Sequence, residues 1–365
     1  MKNNTFFQLQ NIFVLLVMTF TINAQSLKVR SIENFCNDWK FHLGDIANGN
    51  DPSLNDDNWR LLNLPHDWSI EGEFSKDNPA TPGGGALPGG IGWYRKSFFV
   101  SNDDKDKLFF IDFDGVYRNS EVWINGNYLG KRPYGYISFR YELTPYIKFG
   151  EKNIIAVKVD NSLQPNSRWY SGSGIYRNVW LVKTNKIFVD HWGTFITTPV
   201  VKNEQAEISI QVKIRNNLQE QTDVKINTKI FNNENKIVAE IESQKTLMPY
   251  AVSTINQKAE VKNPELWSIE KPNLYKAITL IEHKGTLVDD YETIFGIRTF
   301  EFNSEKGFFL NGKHVKIKGV CNHHDLGCLG AAINERALER QLEILKEMGV
   351  NAIRTSHNPP APELL

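Results

Sequence analysis

The sequence predicts a multidomain chain in which two antiparallel β-sandwiches are followed by the start of a parallel β/α domain. The length of 365 residues exceeds one ordinary domain of roughly 100–200 residues. After residue 27, apolar and polar residues alternate with period two over many short segments, as half-buried strands do. Near Gly307 the pattern changes to strand, helix, strand, which is typical of a parallel sheet with a crossover helix.

The first residues have the pattern of an export signal. Lys2 precedes an apolar run over residues 12–20 that is too short to span a bilayer, and the small residue Ala24 follows. We predict a signal peptide over residues 1–25 and an exported protein, periplasmic or extracellular, with no membrane contact after cleavage.

The amino-acid composition argues against some classes of binding partner. The 42 basic and 42 acidic residues are mixed along the chain, so no basic stripe exists for a nucleic acid backbone. The three cysteines, Cys36, Cys321 and Cys328, are too few for a disulfide framework and lack a paired zinc-binding motif. We expect packing roles for them, no cofactor and no nucleic acid partner, and the oligomeric state is left open.

Residues 26–185 are predicted to form the first sandwich. Strands are expected at residues 108–112, 121–124, 136–141 and 154–159. Asn125 and Gly126 supply the positive φ angles of a tight hairpin. The dense proline and glycine of residues 78–92 indicate a long surface loop.

Residues 186–298 are predicted to form a second sandwich. Residues 206–214 and 224–230 alternate strictly, and the asparagine-rich turn at 232–235 separates two strands. A length near one hundred residues fits an immunoglobulin-like β-sandwich.

Residues 299–365 are predicted to begin the β/α domain. We expect a strand at 315–318, a helix at 335–348 capped by Asn334 and ended by Gly349, and a strand at 350–353. One such unit leaves strand edges unpaired, so the domain is expected to be incomplete as written. The helix has an apolar face formed by Leu338, Leu342, Leu345 and Met348.

Candidate functional residues follow the two parallel strands. In β/α barrels the functional groups lie at the carboxyl ends of the strands. The imidazole, guanidinium and amide groups expected there suit hydrogen bonding to a polyhydroxyl ligand and positioning of a carboxylate. A metal site at residues 323–325 is not favoured, because adjacent extended residues point to opposite sides. The candidates are His323, His324 and Asp325, then Arg354, Ser356, His357 and Asn358.

Several motifs in one order resemble glycoside hydrolase family 2. Residues 319–325 and 351–359 look like the two opening barrel motifs of this family, and the resemblance covers nearly all of the mature chain. It implies a jelly-roll sugar-binding domain, an immunoglobulin-like sandwich and the start of a (β/α)8 TIM barrel. It implies a retaining glycosidase that cleaves terminal β-galactosides of an oligosaccharide or glycan. The upstream motifs are residues 64–68, 92–95, 114–118, 122–126, 168–177, 273–275 and 295–298.

The resemblance also implies roles for single residues. His323 and His357 match sugar-contacting histidines, Asn358 is grouped with them, and Arg354 matches an arginine that orients the nucleophilic carboxylate. Asp160 matches an acidic residue of the first domain that reaches the sugar, although a strand-ending turn explains it equally well. The loop at residues 168–170 is compatible with substrate contact or with a purely structural role against the barrel.

No catalytic residue is predicted within this chain. The family carries its paired glutamates on later barrel strands, which we expect beyond Leu365, whereas Asn334-Glu335 reads as a helix cap. The 365-residue chain is therefore predicted to be inactive. The glycine-rich loop favours the β-galactosidase-like branch. A β-glucuronidase or β-mannosidase of the same family, or a non-catalytic carbohydrate-binding module, remains an alternative.

Overall fold

The computed structural model describes residues 28–365, and the predicted signal peptide lies outside this range. Within it, three units follow one another along the chain. No helix among the described residues is both long and apolar enough to cross a membrane. Short 3-10 helices lie at Pro82–Gly84, Asn102–Asp104, Thr144–Tyr146, Gly327–Leu329 and Pro362–Leu364.

The first unit is an antiparallel β-sandwich. Its strands are β1 (Ser31–Asn34), β2 (Trp39–Leu43), β3 (Arg60–Leu62), β4 (Gly90–Val100), β5 (Leu108–Phe113), β6 (Ser120–Ile124), β7 (Asn127–Arg132), β8 (Phe139–Glu142), β9 (Glu151–Asn161) and β10 (Val179–Thr184). One sheet has the order β1-β10-β5-β8 and the other β3-β2-β4-β9-β6-β7. Their apolar faces enclose a core that includes Trp39, Phe113 and Ile155, all fully buried. The expected jelly-roll sandwich is thus confirmed.

Two local predictions in this unit have different outcomes. The β6–β7 hairpin is confirmed, with φ of 49° at Asn125 and 81° at Gly126. The strand predicted at residues 136–141 begins only at Phe139. The ring of Tyr136 packs instead against those of Tyr117 and Tyr176, in an aromatic cluster outside the sheet core.

The second unit is a seven-stranded antiparallel sandwich. Its strands are β11 (Ile187–Val201), β12 (Gln205–Asn216), β13 (Thr222–Phe231), β14 (Ile237–Leu247), β15 (Ala251–Lys262), β16 (Tyr275–His283) and β17 (Thr286–Phe295). The sheet orders are β11-β12-β15 and β14-β13-β16-β17. The predicted strands at 206–214 and 224–230 lie within β12 and β13, and the immunoglobulin-like sandwich is confirmed.

A buried ion pair ties the start of the described chain to the second unit. Arg30 donates to Asp289 at 2.8 Å, and both side chains are almost fully buried. Arg30 also donates to the Val189 carbonyl at 2.6 Å. These contacts fix the segment before β1 against the second sandwich.

The third unit begins with a small antiparallel sheet and continues with a β-α-β unit. The antiparallel strands, in sheet order, are β18 (Phe300–Asn303), β19 (Gly307–Leu310) and β20 (Lys313–His314). The crossover consists of β21 (Gly319–Asn322), α1 (Glu335–Glu347) and β22 (Ala352–Thr355). β21 and β22 pair in parallel, so the predicted start of a β/α barrel is confirmed.

The strand bounds in this unit differ from the prediction. The prediction of a strand at residues 315–318 is wrong, because β21 starts at Gly319. The side chain of Asn351 instead hydrogen-bonds the backbone of Lys316 and Lys318, at 3.0 and 2.8 Å. The second strand lies two residues later than predicted, which places Arg354 inside β22 rather than after it.

The helix of the crossover follows the prediction at both ends. The Asn334 side chain accepts from the Ala337 amide at 2.9 Å, and Gly349 has φ of 82°. Leu338 is buried on the predicted apolar face. Met348, at the end of the same face, is 69% exposed.

Candidate functional site

The two parallel strands bring His323 and His357 to one edge of the sheet. His323 directly follows β21, and His357 lies two residues after β22. Since Asn322 pairs with Thr355, the strands end side by side. The two imidazole rings lie 5.5 Å apart between centroids. This convergence is the geometry that the strand order predicts.

Arg354 joins this pair through hydrogen bonds. Its guanidinium donates to His357 Nδ1 at 2.9 Å and to Ser356 Oγ at 3.1 Å. His357 Nδ1 therefore acts as an acceptor, and the ring hydrogen lies on Nε2. Partial desolvation and the neighbouring charge of Arg354 lower the pKa of His357. The imidazole is thus neutral near pH 7, with an N–H available for a ligand.

Trp169, from the loop between β9 and β10, completes the aromatic side of the site. Its ring centroid lies 6.0 Å from that of His323 and 5.1 Å from that of His357. Its indole N–H donates to Tyr136 Oη at 3.1 Å. The loop whose role the sequence analysis leaves undecided therefore brings an indole ring next to both candidate histidines.

The neighbouring residue Tyr170 has a structural role. Its hydroxyl donates to Asp67 at 2.5 Å, while Trp169 faces the histidines. Gly172 has φ of 71°, and a Cβ there would lie 2.5 Å from Asp67 Oδ2. The structural role expected for this loop is therefore confirmed for Tyr170, whereas substrate contact by Trp169 stays a prediction.

Asp67 anchors the third unit on the first sandwich. Its buried carboxylate accepts from the backbone amides of Ala331 and Ser173, both at 2.8 Å, and from that of Ser69 at 3.0 Å. Together with Tyr170 these are four donors on one carboxylate. Burial raises the pKa of Asp67, while its hydrogen bonds act in the opposite direction.

Arg177 holds the segment that follows Asn358. Its buried guanidinium donates to the carbonyls of Pro359 and Pro360 at 2.8 and 3.1 Å, and to that of Tyr136 at 3.2 Å. Backbone geometry next to the site is therefore set by a residue of the first sandwich.

Tyr134 is a site residue that the sequence analysis missed. Its hydroxyl donates to Asn358 Oδ1 at 3.2 Å, and its ring packs against Tyr136. The only sequence signal was the aromatic spacing of Tyr134 and Tyr136 around Gly135. The first sandwich thus supplies Tyr134 and Trp169 to the same edge.

His324 points away from His323, as the alternation of extended residues predicts. Its ring packs edge-on against those of Tyr136 and Tyr176, with centroids 5.2 and 5.9 Å away. Nε2 lies 3.4 Å from the Ser171 carbonyl. Burial lowers the pKa of His324 to about 4.

Within residues 28–365, no cluster of three or more His, Cys, Asp or Glu could hold a metal ion.

Contacts between the first and third units are expected to weaken in acid through His324. Its pKa is about 4 in the folded protein, below the ordinary 6.5. The neutral form therefore stabilises the folded state fully above pH 6.5, and this contribution falls as the pH drops towards 4, by about 3 kcal/mol at most. Hydrogen exchange of residues 331–333 between pH 4 and 7 measures this. His324→Phe should reduce the dependence of this exchange on pH, whereas the exposed control His314→Gln should leave it unchanged.

Asp160 does not meet the other candidates through hydrogen bonds. It lies inside β9 rather than after it, and its carboxylate accepts from the amide and hydroxyl of Ser162 at 3.0 and 2.6 Å. This is the turn geometry weighed from the sequence. Asn358 Oδ1, by contrast, is held at the site by Tyr134.

Two carboxylates at the contact between the first and third units accept hydrogen bonds. Glu363 accepts from Asn178 at 2.5 Å, and Asp67 is saturated by its four donors. Glu335 is exposed at the first turn of α1, which agrees with the predicted helix cap.

Comparisons with known proteins match all three units. Profiles of the glycosyl hydrolases family 2 match residues 80–185 (sugar binding domain), 187–298 and 302–365 (TIM barrel domain). A β-galactosidase of Bacteroides ovatus, BoGH2A, is 54% identical over 92% of this chain and 40% of its own length. A putative β-glucuronidase of Formosa agariphila is 44% identical over 97% of this chain and 33% of its own length.

Solved structures agree in fold. A family 2 glycosyl hydrolase from Bacteroides cellulosilyticus superposes with a TM-score of 0.89 at 42% identity, covering 91% of this chain and 44% of that protein. A Bacteroides uniformis β-glucuronidase gives 0.84 at 30% identity, covering 92% and 40%. The chain thus spans less than half the length of these relatives. With its three units matched in order, the chain belongs to glycoside hydrolase family 2.

Proposed function

We propose that this chain forms the sugar-binding side of the active site of an exported retaining glycosidase acting on terminal β-galactosides. The observation that carries the proposal is the convergence of His323, His357 and Trp169 at the carboxyl ends of β21 and β22. An indole face next to two imidazole rings offers both apolar contact and directional hydrogen bonds to a sugar ring.

Each residue has a distinct role in this proposal. His323, His357 and Asn358 hydrogen-bond sugar hydroxyls, while Trp169 contacts an apolar face of the ring. Arg354 orients the nucleophilic carboxylate. Asp160 approaches the sugar only if it exchanges its Ser162 partner for a sugar hydroxyl.

The bond cleavage itself needs two more groups. A retaining mechanism requires two carboxyl groups about 5–5.5 Å apart, one as nucleophile and one as acid and then base. We propose that the whole protein supplies this pair from other barrel strands, as the resemblance to the family implies. The present residues then bind and orient the substrate.

A β-glucuronidase is the second candidate. The charge of the exposed Arg168 acts on His357, which provides a cation near the proposed sugar position. The identity to a β-galactosidase is nevertheless higher than that to a putative β-glucuronidase, 54% against 44%. We therefore favour the galactoside.

Assays of the whole protein decide between these substrates. We expect kcat/KM for an aryl β-galactoside to exceed that for the matching β-glucuronide and β-mannoside by about 100-fold or more, because a site built for one set of polar groups leaves them unpaired with another. The reverse order would establish one of the other activities. No activity on any of them would contradict the proposal.

Arg354→Lys is expected to lower kcat of the whole protein by about 100-fold with little change in KM. Lysine lacks the planar fork that bonds His357 and Ser356 together, and a misplaced nucleophile affects the transition state more than substrate binding. Steady-state kinetics test this. Arg336→Lys, on the exposed face of α1, is the control and should leave both constants unchanged. A variant with wild-type kcat would remove Arg354 from its proposed role.

A further inference from the structure

A small cavity lies behind Asn358, between the first sandwich and the β-α-β unit. Its volume is about 30 Å³, and its lining includes Tyr176, His324 and Asn358. A water molecule needs roughly 10–15 Å³ of such space and two or more polar partners. The cavity is therefore large enough for an ordered water.

His324 and Asn358, which line the cavity, each have one buried polar atom without a hydrogen-bond partner among the described residues. These atoms are His324 Nδ1 and Asn358 Nδ2. An unsatisfied buried donor or acceptor costs more free energy than a hydrogen bond normally contributes, so native proteins seldom leave such atoms unpaired. Both atoms therefore need a partner in this cavity.

The hydrogen-bonding roles of the two atoms are complementary, since one accepts and the other donates. The Ser171 carbonyl can only accept, so His324 Nε2 carries the hydrogen and Nδ1 presents a lone pair. The low pKa of the buried imidazole keeps it neutral. Asn358 Oδ1 accepts from Tyr134, so the Nδ2 side is a donor. One water can accept from Nδ2 and donate to Nδ1.

We propose that His324 is a positioning residue that holds the Asn358 amide at the sugar site through one ordered water in this cavity. Tyr134 fixes the oxygen end of the amide, and the His324-bound water fixes the nitrogen end. The carboxamide is then locked at both ends before a sugar arrives. That Asn358 contacts sugar rests on the proposed function, whereas the water and the locked amide do not.

The direct test is a crystal structure of the wild-type whole protein at a resolution that shows ordered water. We expect one water within about 3.2 Å of both His324 Nδ1 and Asn358 Nδ2. A dry cavity, or a water that contacts only one of the two atoms, overturns the proposal. This test needs no variant and no substrate.

The kinetic test uses His324→Phe, which keeps an aromatic ring but removes the acceptor. We expect KM for an aryl β-galactoside to rise roughly tenfold while kcat stays nearly unchanged, since an unfixed amide weakens sugar binding. Adding His324→Phe to Asn358→Ala should raise KM no further, because both act through one contact. His324→Gln, which keeps a polar acceptor, should recover part of the loss.

Tyr176→Phe is the packing control. It keeps the ring that touches His324 and loses only the hydroxyl bonded to the Gly135 carbonyl, so KM should remain near wild type. Equal effects of the two phenylalanine variants would show a packing role and overturn the proposal. If the wild type cleaves no glycoside, the proposed function fails, and the crystallographic water still decides the role of His324.

Discussion

A protein made of residues 1–365 alone is expected to hydrolyse an aryl β-galactoside no faster than buffer does. Sugar contacts from His323, His357 and Trp169 position a substrate but supply neither a nucleophile nor a proton donor. The buried carboxylate of Asp67 is occupied by hydrogen-bond donors, among them the Tyr170 hydroxyl. Release of the aryl alcohol, followed in parallel for this chain and the whole protein, measures the difference.

Contamination by a host enzyme needs its own control in that experiment. Activity that persists unchanged in His357→Ala of the same 365-residue chain belongs to a contaminant. Turnover that the wild-type chain shows and His357→Ala abolishes would mean that these residues complete a catalytic centre, which contradicts our proposal.

Asp67→Ala is expected to lower the free energy of unfolding by about 3–5 kcal/mol and to release the third unit from the first sandwich. The variant leaves three backbone amides and the Tyr170 hydroxyl without their common acceptor in a buried place. Urea unfolding gives the free energy, and hydrogen exchange at Ala331 reports the release.

Asp77→Ala is the matched control, because Asp77 is an exposed aspartate in the neighbouring loop. It should change the free energy of unfolding by less than about 0.5 kcal/mol. Asp67→Asn should fall between the two, since an amide oxygen accepts part of the same set of donors. Wild-type stability and wild-type protection of Ala331 in Asp67→Ala would show that this carboxylate is not the anchor.

The sequence predicted the order and type of the three units because period-two alternation and helix caps are local signals. The Asn125-Gly126 turn and the Asn334 cap act within a few residues, and both are confirmed. The strand predicted at residues 315–318 shows where local signals fail. Val315 and Ile317 alternate with lysines as in a strand, yet Ile317 is 53% exposed and the backbone there is bonded by the Asn351 side chain.

The site was predictable only in part for the same reason. His323 and His357 follow successive parallel strands, so strand order alone brings them together. Tyr134 reaches Asn358 across 224 residues of sequence, and no local pattern encodes that contact. Asp160 lies within β9 because this strand continues to Asn161. The alternation of apolar and polar residues does not define the end of a long strand well.

A crystal structure of the protein with bound galactose tests the central proposal most directly. We predict the sugar ring against the indole of Trp169, with hydroxyls hydrogen-bonded to His323, His357 and Asn358. Galactose bound only on a sandwich face, away from the ends of β21 and β22, would contradict the proposed site and favour a carbohydrate-binding module.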